Sequence, residues 1–258
     1  MEKMINMTIQ DDGMAFITLN SPPVNALSRA LIAEMLACVN QLASDNQVRV
    51  MLLTSNCKHF CAGLDLKEQA DLGREDAAKA VQEINTCLNA IAALPFPTIS
   101  VLKGAAMGGG AELSLSTDFR IMADSGRIGF PEVGLSLIPG AGGTQRLPRL
   151  IGPARAKYWI FSAVKFTAEE ALADGVVDFL AEDDDLLEMA IELGQEFINN
   201  GPLGIRAAKK AIDSGLALPL IKGLKCEQDA FESTLDTEDH QEALKAFMEK
   251  RPPQWQGR

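Results

Sequence analysis

The sequence predicts a layered α/β fold that continues into a helical carboxyl-terminal part. The α/β prediction rests on two short apolar runs, 48–54 and 98–102, which are typical of buried strands, and on the segments of helical apolar spacing that alternate with them. Beyond residue 184, successive periodic segments all have helical spacing. Strands that alternate with helices pack as a sheet covered by helices, whereas consecutive helices indicate a separate layer or an oligomerisation unit.

Turn and capping signals bound the amino-terminal elements. The turn at 11–13 (DDG) precedes an apolar run and predicts a hairpin. Ser28 can cap a helix whose apolar positions continue to Leu42. A second amphipathic helix, with apolar positions between 81 and 91, is stopped by Pro95, and the next strand follows directly.

The second half predicts further strands and helices. A strand is expected at 119–123, and 176–180 is the last strand that the pattern predicts. Thr167 and Glu170 have the spacing of a capping box for the helix that follows them. Thr237 can cap the final helix.

The composition limits the classes of partner. The 258 residues carry a formal net charge of −11, and an acidic surface repels nucleic acid and anionic membranes, so neither is expected as a partner. No apolar stretch approaches the ~20 residues needed to span a bilayer. The amino terminus lacks the pattern of a secretory leader, and the five cysteines include no C-x-x-C pair, which predicts a cytoplasmic protein with reduced thiols and no metal site.

Three segments could carry chemistry. A glycine triplet at 108–110 precedes the short helix that contains Glu112; alone, the triplet is typical of a tight turn, and the glutamate complements the helix dipole. Glu132 lies in a loop and alone is an ordinary surface carboxylate. The loop 58–66 follows the first buried strand, and small residues at such a strand end can present backbone amides to a ligand.

Together these segments supply amides from two loops and a pair of carboxylates, which carbonyl activation with proton transfer at the adjacent carbons requires. A second glycine-rich turn at 139–143 lacks the spacing of a nicotinamide-binding loop, and the sequence contains no serine elbow or Walker loop. His59 and His240 have no flanking partner typical of a triad, so both are predicted to be structural or surface residues.

Four strings of the sequence are specific: HFCAGLDL, KGAAMGGGAELSLSTD, IGFPEVGLSLIPGAGGTQRLPRLIG and FMEKRPPQWQGR. Through them the chain resembles the enoyl-CoA hydratase/isomerase (crotonase) family from end to end. The resemblance implies a crotonase-type spiral of strand–strand–helix units with the active site over 1–195. It also implies a helical oligomerisation region over 196–258 that builds trimers, often paired into hexamers.

The resemblance further implies residue roles. The backbone amides of Leu64 and Gly109 would form an oxyanion hole, Glu132 would deliver a proton to the α-carbon, and Glu112 would deprotonate the attacking water. Coenzyme A is part of the substrate, and no separate cofactor is implied. Contacts with the substrate and its coenzyme A moiety are assigned to Lys58, Ala62, Gly63, Asp65, Leu66, Phe247 and Lys250.

Several functions stay open at this point. The glutamate pair favours hydration of a short or branched 2-enoyl-CoA, and the ending EKRPPQWQGR is closest to methylglutaconyl-CoA hydratases. A Δ3,Δ2-enoyl-CoA isomerase needs only one carboxylate, and a non-catalytic scaffold that binds CoA or RNA would share the fold alone. RNA affinity is not expected, because the helix at 29–43 has one arginine and no lysine. Leu64 replaces the alanine usual in short-chain hydratases, and its side chain is expected to reshape the acyl pocket.

Overall fold

The structure, a computed structural model, describes residues 3–70 and 72–258. Its strands are β1 (Ile5–Ile9), β2 (Met14–Leu19), β3 (Val50–Ser55), β4 (Thr98–Leu102), β5 (Ala105–Met107), β6 (Phe119–Ala123), β7 (Arg127–Gly129), β8 (Lys165–Thr167) and β9 (Phe179–Ala181). The main sheet has the strand order β1-β2-β3-β4-β6-β9, with β1 antiparallel to β2 and every other neighbouring pair parallel. A smaller sheet has the order β5-β7-β8.

Helices lie on both faces of the main sheet and continue beyond it. They are α1 (Arg29–Ala43), α2 (Leu66–Ala70), α3 (Arg74–Ala92), α4 (Gly109–Ser114), a 3-10 helix (Pro131–Leu135), α5 (Gly143–Ile151), α6 (Pro153–Phe161), α7 (Ala168–Ala173), α8 (Leu186–Ile198), α9 (Pro202–Leu216), α10 (Leu220–Glu232) and α11 (Glu238–Glu249). None of the described helices is both long enough and apolar enough to cross a membrane.

The central strand β3 shows why the sheet needs helices on both faces. Met51 and Leu53 belong to the apolar cluster shared with α1 and α3, whereas Val50 and Leu52 belong to the cluster shared with α8. Successive side chains of a strand point to opposite faces, so a continuous apolar run must be covered on both sides. The main core therefore lies between the sheet and the α1–α3 pair, and α8 closes the opposite face.

Most of the predicted elements are confirmed. The α/β class is confirmed, and the hairpin at the turn 11–13 joins β1 to β2. The Ser28 hydroxyl accepts a hydrogen bond from the Leu31 amide, Thr167 forms a capping box with Glu170, and Thr237 caps α11. The predicted caps are confirmed because a capping side chain accepts hydrogen bonds from amides only two or three residues away, so the cap depends on local sequence alone.

The strand predicted at 176–180 is displaced in the structure. Val176 and Val177 donate their amides to the Ala171 carbonyl at the end of α7, so they complete a helix terminus and β9 begins only at Phe179. Residue 195, the predicted end of the spiral core, lies within α8, which packs on the sheet. The division into 1–195 and 196–258 stays a prediction.

Candidate active site

Glu112 is a buried carboxylate in the short helix α4. Its side chain is 1% exposed, and Oε1 accepts hydrogen bonds from the amides of Ala141 and Gly143, each at 2.8 Å. Oε2 is buried and has no hydrogen-bond partner among the described residues. A buried polar atom without a protein partner is rare in folded proteins, and this oxygen is free to bind a polar group in the site.

Glu132 reaches the same region from the 3-10 helix. Its Oε2 atom is likewise buried without a described partner. Gly108, with φ of +52°, lies against this carboxyl: a Cβ atom at position 108 would stand 2.9 Å from Glu132 Oε1. The first residue of the glycine triplet is therefore needed both for its left-handed backbone and for the space that the carboxyl occupies.

One cavity of about 500 Å³ joins the two carboxyl groups. Glu112 and Glu132 line it together with Leu64 and Gly109, and most of the remaining lining is apolar: Ala62, Gly63, Leu66, Gln69, Ala77, Ala78, Val81, Gly108, Pro131, Leu135, Leu137, Ile138 and Gly140. A concave, mostly apolar site with a few convergent polar groups is typical of a small-molecule site.

Two backbone amides face this cavity beside each other. Neither the Leu64 amide nor the Gly109 amide donates to any acceptor in the part of the chain that the structure describes. A Cβ atom on Gly109 would lie 3.5 Å from the Leu64 nitrogen, and one on Gly63 would lie 3.1 Å from the Gly109 nitrogen. Gly109 is the first residue of α4, where amides have no intrahelical acceptor, so the pair can bind one anionic oxygen.

Burial dominates the electrostatics of the two carboxyl groups. It raises the pKa of Glu112 to about 7, while the Ala141 and Gly143 amides and the Arg146 charge oppose the rise and Glu132 adds to it. Burial also raises the pKa of Glu132 above its usual range. A carboxyl group with a pKa of about 7 can take up or release a proton near neutral pH, which is what general acid–base catalysis needs.

The loop 62–66 borders a second cavity of about 490 Å³. Ala62, Leu64 and Leu66 line both cavities, and Asp65 lines the second. The far wall of the second cavity comes from the segment 21–28. Four of the predicted substrate-contact positions, Ala62, Gly63, Asp65 and Leu66, therefore line one or both of these neighbouring cavities.

Three predicted contact residues lie away from both cavities in this chain. Lys58 is exposed and lines neither cavity. Phe247 is 84% exposed on α11, and Lys250 ends that helix with φ of +53°. Their contact with the nucleotide stays a prediction.

Two contributions to the site could not be predicted from the sequence. The helix α3 lines the cavity with Ala77, Ala78 and Val81, residues too small and apolar to signal a site. Asn25, fully buried with φ of +51°, donates to Ser55 Oγ and to the carbonyl of Phe60, and so holds the loop before residue 62. Asparagine adopts a left-handed backbone more readily than most residues, but the distant partners of Asn25 could not be identified from sequence.

Comparison with known proteins defines the class. The family model described as "Enoyl-CoA hydratase/isomerase" matches residues 10–258. The mouse mitochondrial methylglutaconyl-CoA hydratase is 42% identical over 238 residues, covering 90% of this chain and 76% of that protein. The enoyl-CoA isomerase/hydratase fer4 of Mycosarcoma maydis is 40% identical over 256 residues, covering 95% and 93%.

A solved structure agrees with these relatives. The crystal structure of an enoyl-CoA hydratase from Bacillus anthracis superposes with a TM-score of 0.97 at 41% identity, over 99% of this chain and all of that one. These matches identify an acyl-CoA-processing enzyme of the crotonase fold. The chain belongs to the enoyl-CoA hydratase/isomerase family.

Proposed function

We propose that the protein is a hydro-lyase that adds water reversibly across the 2,3 double bond of a 2-enoyl-CoA thioester. One observation carries this proposal: the unpartnered carboxyl oxygens of Glu112 and Glu132 are buried at a single cavity beside the free amides of Leu64 and Gly109. Hydration needs one group that takes a proton from water and another that gives a proton to the α-carbon, and the two carboxyl groups at this cavity could perform these two steps.

In the proposed reaction the two amides bind the thioester oxygen and stabilise its negative charge as the enolate forms; each such donor is typically worth ~3–4 kcal/mol. The Glu112 carboxylate takes a proton from water, whose oxygen bonds to the β-carbon. Protonated Glu132 gives its proton to the α-carbon, so both parts of the water molecule are added. Exchange with solvent then returns each carboxyl to its starting state.

The test is the loss of the ultraviolet absorbance of crotonyl-CoA. Because each carboxyl performs a separate proton transfer, Glu112→Gln and Glu132→Gln are each expected to lower kcat at least ~100-fold. Both glutamines keep the shape of the side chain, so the folded protein should persist, as checked by circular dichroism. Hydration that survives Glu132→Gln nearly intact would exclude this mechanism.

An isomerase is the second candidate, because fer4 is named for both activities. Moving a double bond between the 3,4 and 2,3 positions transfers one proton and can use one carboxylate. This candidate predicts that Glu112→Gln keeps isomerisation of a 3-enoyl-CoA while Glu132→Gln abolishes it. A non-catalytic CoA-binding protein would instead bind acyl-CoA with no turnover of either substrate.

The preferred acyl group is open to a direct comparison. The named relatives include methylglutaconyl-CoA hydratases, whose substrate is branched and carries a terminal carboxylate. Crotonyl-CoA, a longer straight-chain 2-enoyl-CoA and 3-methylglutaconyl-CoA form a minimal panel, and kcat/KM ranks them. We favour a short or branched acyl group because Leu64 lines the cavity, where its side chain is expected to reshape the acyl pocket.

We also propose that the protein works as a homotrimer, or a pair of trimers, in the cytoplasm. The apolar side chains left exposed on α9 and α10 support self-association. The five cysteines are all free, which supports a reducing compartment.

A further inference from the structure

The loop that donates hydrogen bonds to the Glu112 carboxyl accepts hydrogen bonds in turn from polar side chains of neighbouring helices. The loop 139–143 joins the 3-10 helix region to α5 and supplies both amides that donate to Glu112 Oε1. A loop carries no regular backbone pairing of its own, so its position depends on whatever binds its remaining polar groups. Here those groups are the carbonyl oxygens of Gly140, Ala141 and Gly142.

Asn85 on α3 binds the peptide that donates to Glu112. Its Nδ2 donates to the Gly140 carbonyl at 2.6 Å, and the amide of that same peptide, Ala141 N–H, donates to Glu112 Oε1 at 2.8 Å. Hydrogen bonds in series through one peptide polarise each other, so Asn85 strengthens the bond made to the carboxylate. The other Nδ2 hydrogen bond goes to the Val81 carbonyl and fixes the Asn85 side chain on its helix.

Arg146 binds the next peptide of the loop. Its Nη1 donates to the Ala141 carbonyl at 3.1 Å, and its Nη2 donates to Asn89 Oδ1 at 2.7 Å. Asn89 lies one helical turn after Asn85 on α3. The guanidinium lies directly over Gly142, whose φ is +109°, so no side chain fits there. The third carbonyl, of Gly142, accepts from backbone amides at the start of α5.

We propose that Asn85, Asn89 and Arg146 are positioning residues that clamp the loop 139–143 and so hold the Glu112 carboxylate in its working orientation. The inference rests on the proposed function in taking Glu112 as the base. The charged groups that act on Glu112 are Glu132 from the 3-10 helix and Arg146 from α5, and they have opposite effects. Arg146 makes no salt bridge with Glu112, so it acts through the loop and through its field at longer range.

The decisive comparison is Arg146→Gln against Arg149→Gln. Arg149 lies on the same helix but binds only Gln145 and is exposed, so its loss removes the same charge without touching the loop. In Arg146→Gln, kcat is expected to fall about 10- to 100-fold because the base is displaced, while KM changes less than about twofold. The acid limb of the kcat/KM profile should move to higher pH, since a lost positive charge makes Glu112 harder to ionise. Arg146→Lys keeps the charge and should return the limb toward its wild-type position.

A second pair tests the clamp without changing any charge. Asn85→Ala removes the donor to the Gly140 carbonyl, and Thr86→Ala removes a neighbouring side chain that bonds only within α3. Asn85→Ala should lower kcat about tenfold and move the acid limb to higher pH, and Thr86→Ala should do neither. This pair also decides the question if Arg146→Gln does not fold.

A readout without turnover separates the inference from the proposed function. The Glu112 carboxyl carbon can be followed by ¹³C NMR in glutamate-labelled protein, with its resonance assigned by its loss in Glu112→Gln. Its titration midpoint should rise in Arg146→Gln and Asn85→Ala but not in Arg149→Gln or Thr86→Ala. Equal shifts in the control variants, or no shift in any variant, would overturn the clamp. If the midpoints move as expected and no enoyl-CoA is hydrated, the proposed function fails and the clamp stands.

Discussion

The environment of the Glu112 side chain disfavours its ionised form. Its surroundings remove it from water, and only one of its two oxygens accepts hydrogen bonds from the residues that the structure describes. Both amides therefore serve to keep the carboxylate accessible near neutral pH, while the bare Oε2 stays free for water. Such a residue is expected to weaken the fold in exchange for reactivity.

The raised pKa of Glu112 predicts a pH-dependent stability penalty. Below the ordinary value of 4.5 the group is protonated in both the folded and unfolded states, so no penalty exists. As pH rises toward about 7 the unfolded chain ionises first, and stability falls. At ~1.4 kcal/mol per pH unit, the full loss is ~3 kcal/mol above pH 8.

Glu112→Gln should remove this penalty, because glutamine does not ionise. Urea unfolding at pH 4.5 and pH 8 measures the difference in unfolding free energy between the variant and the wild type. We expect the difference to shift in favour of the variant by ~3 kcal/mol between the two pH values. A difference that stays constant with pH would show that Glu112 does not resist ionisation in the folded protein.

At the scale of elements, the turn from β5 into α4 sets the geometry of the site. Gly108 has a left-handed backbone, Gly109 presents its amide, and Gly110 packs directly against the Cys61 carbonyl. Each of the three glycines is therefore required for a different reason. Together they allow α4 to begin close to both the loop 62–66 and the Glu132 carboxyl.

Gly108→Ala should damage the site more than the fold. A Cβ in this sparsely populated backbone conformation (φ +52°, ψ −121°) costs ~1–3 kcal/mol, and it would push the Glu132 carboxyl, the flexible end of a side chain, out of place. We expect thermal unfolding to show that modest loss and kcat to fall ~100-fold.

Gly204→Ala is the matched control in α9. Nothing lies within 4 Å of its added Cβ, and alanine favours a helix, so stability should rise by up to ~1 kcal/mol with activity unchanged. Unaltered turnover in Gly108→Ala would mean that the position of Glu132 is not set by this turn.

At the scale of the whole molecule, the α9–α10 pair leaves a large apolar surface uncovered. Four side chains on it are 60–83% exposed: Ile212, Leu216, Leu220 and Ile221. An apolar surface of this kind on a single chain is typical of an interface. A more open cleft of about 810 Å³ lies between α3 and α9, and its lining includes the Lys209–Asp118 ion pair, so it differs from the mostly apolar cavity that Glu112 and Glu132 line.

Ile221→Lys is expected to weaken self-association, because it would bury an unpaired charge in the interface. Sedimentation velocity should show trimers or hexamers for the wild type and smaller species for the variant. Gln41→Lys adds the same charge to an exposed position on α1 and should leave the assembly unchanged. A monomeric wild type at micromolar concentration would contradict the proposed assembly.

The sequence by itself determined the class, the caps and the candidate residues. Apolar periodicity specified strands and helices because side-chain burial follows the geometry of each element, and the caps of Ser28, Thr167 and Thr237 depend on partners a few residues away. The strings around Glu112 and Glu132 identified the pair through resemblance. The number of residues between Glu112 and Glu132 did not indicate whether their carboxyl groups lie at the same cavity.

Only the tertiary structure decided what surrounds those glutamates. The shared cavity, the adjacency of the Leu64 and Gly109 amides and the hydrogen bonds from α3 to the loop 139–143 and to Arg146 all join segments far apart in sequence. The small residues of α3 and the asparagines Asn85 and Asn89 could not be recognised as part of the site from the sequence. Their role depends on partners that only folding brings into contact with them. The raised pKa of Glu112 has the same origin, because burial is a property of the folded chain rather than of any segment.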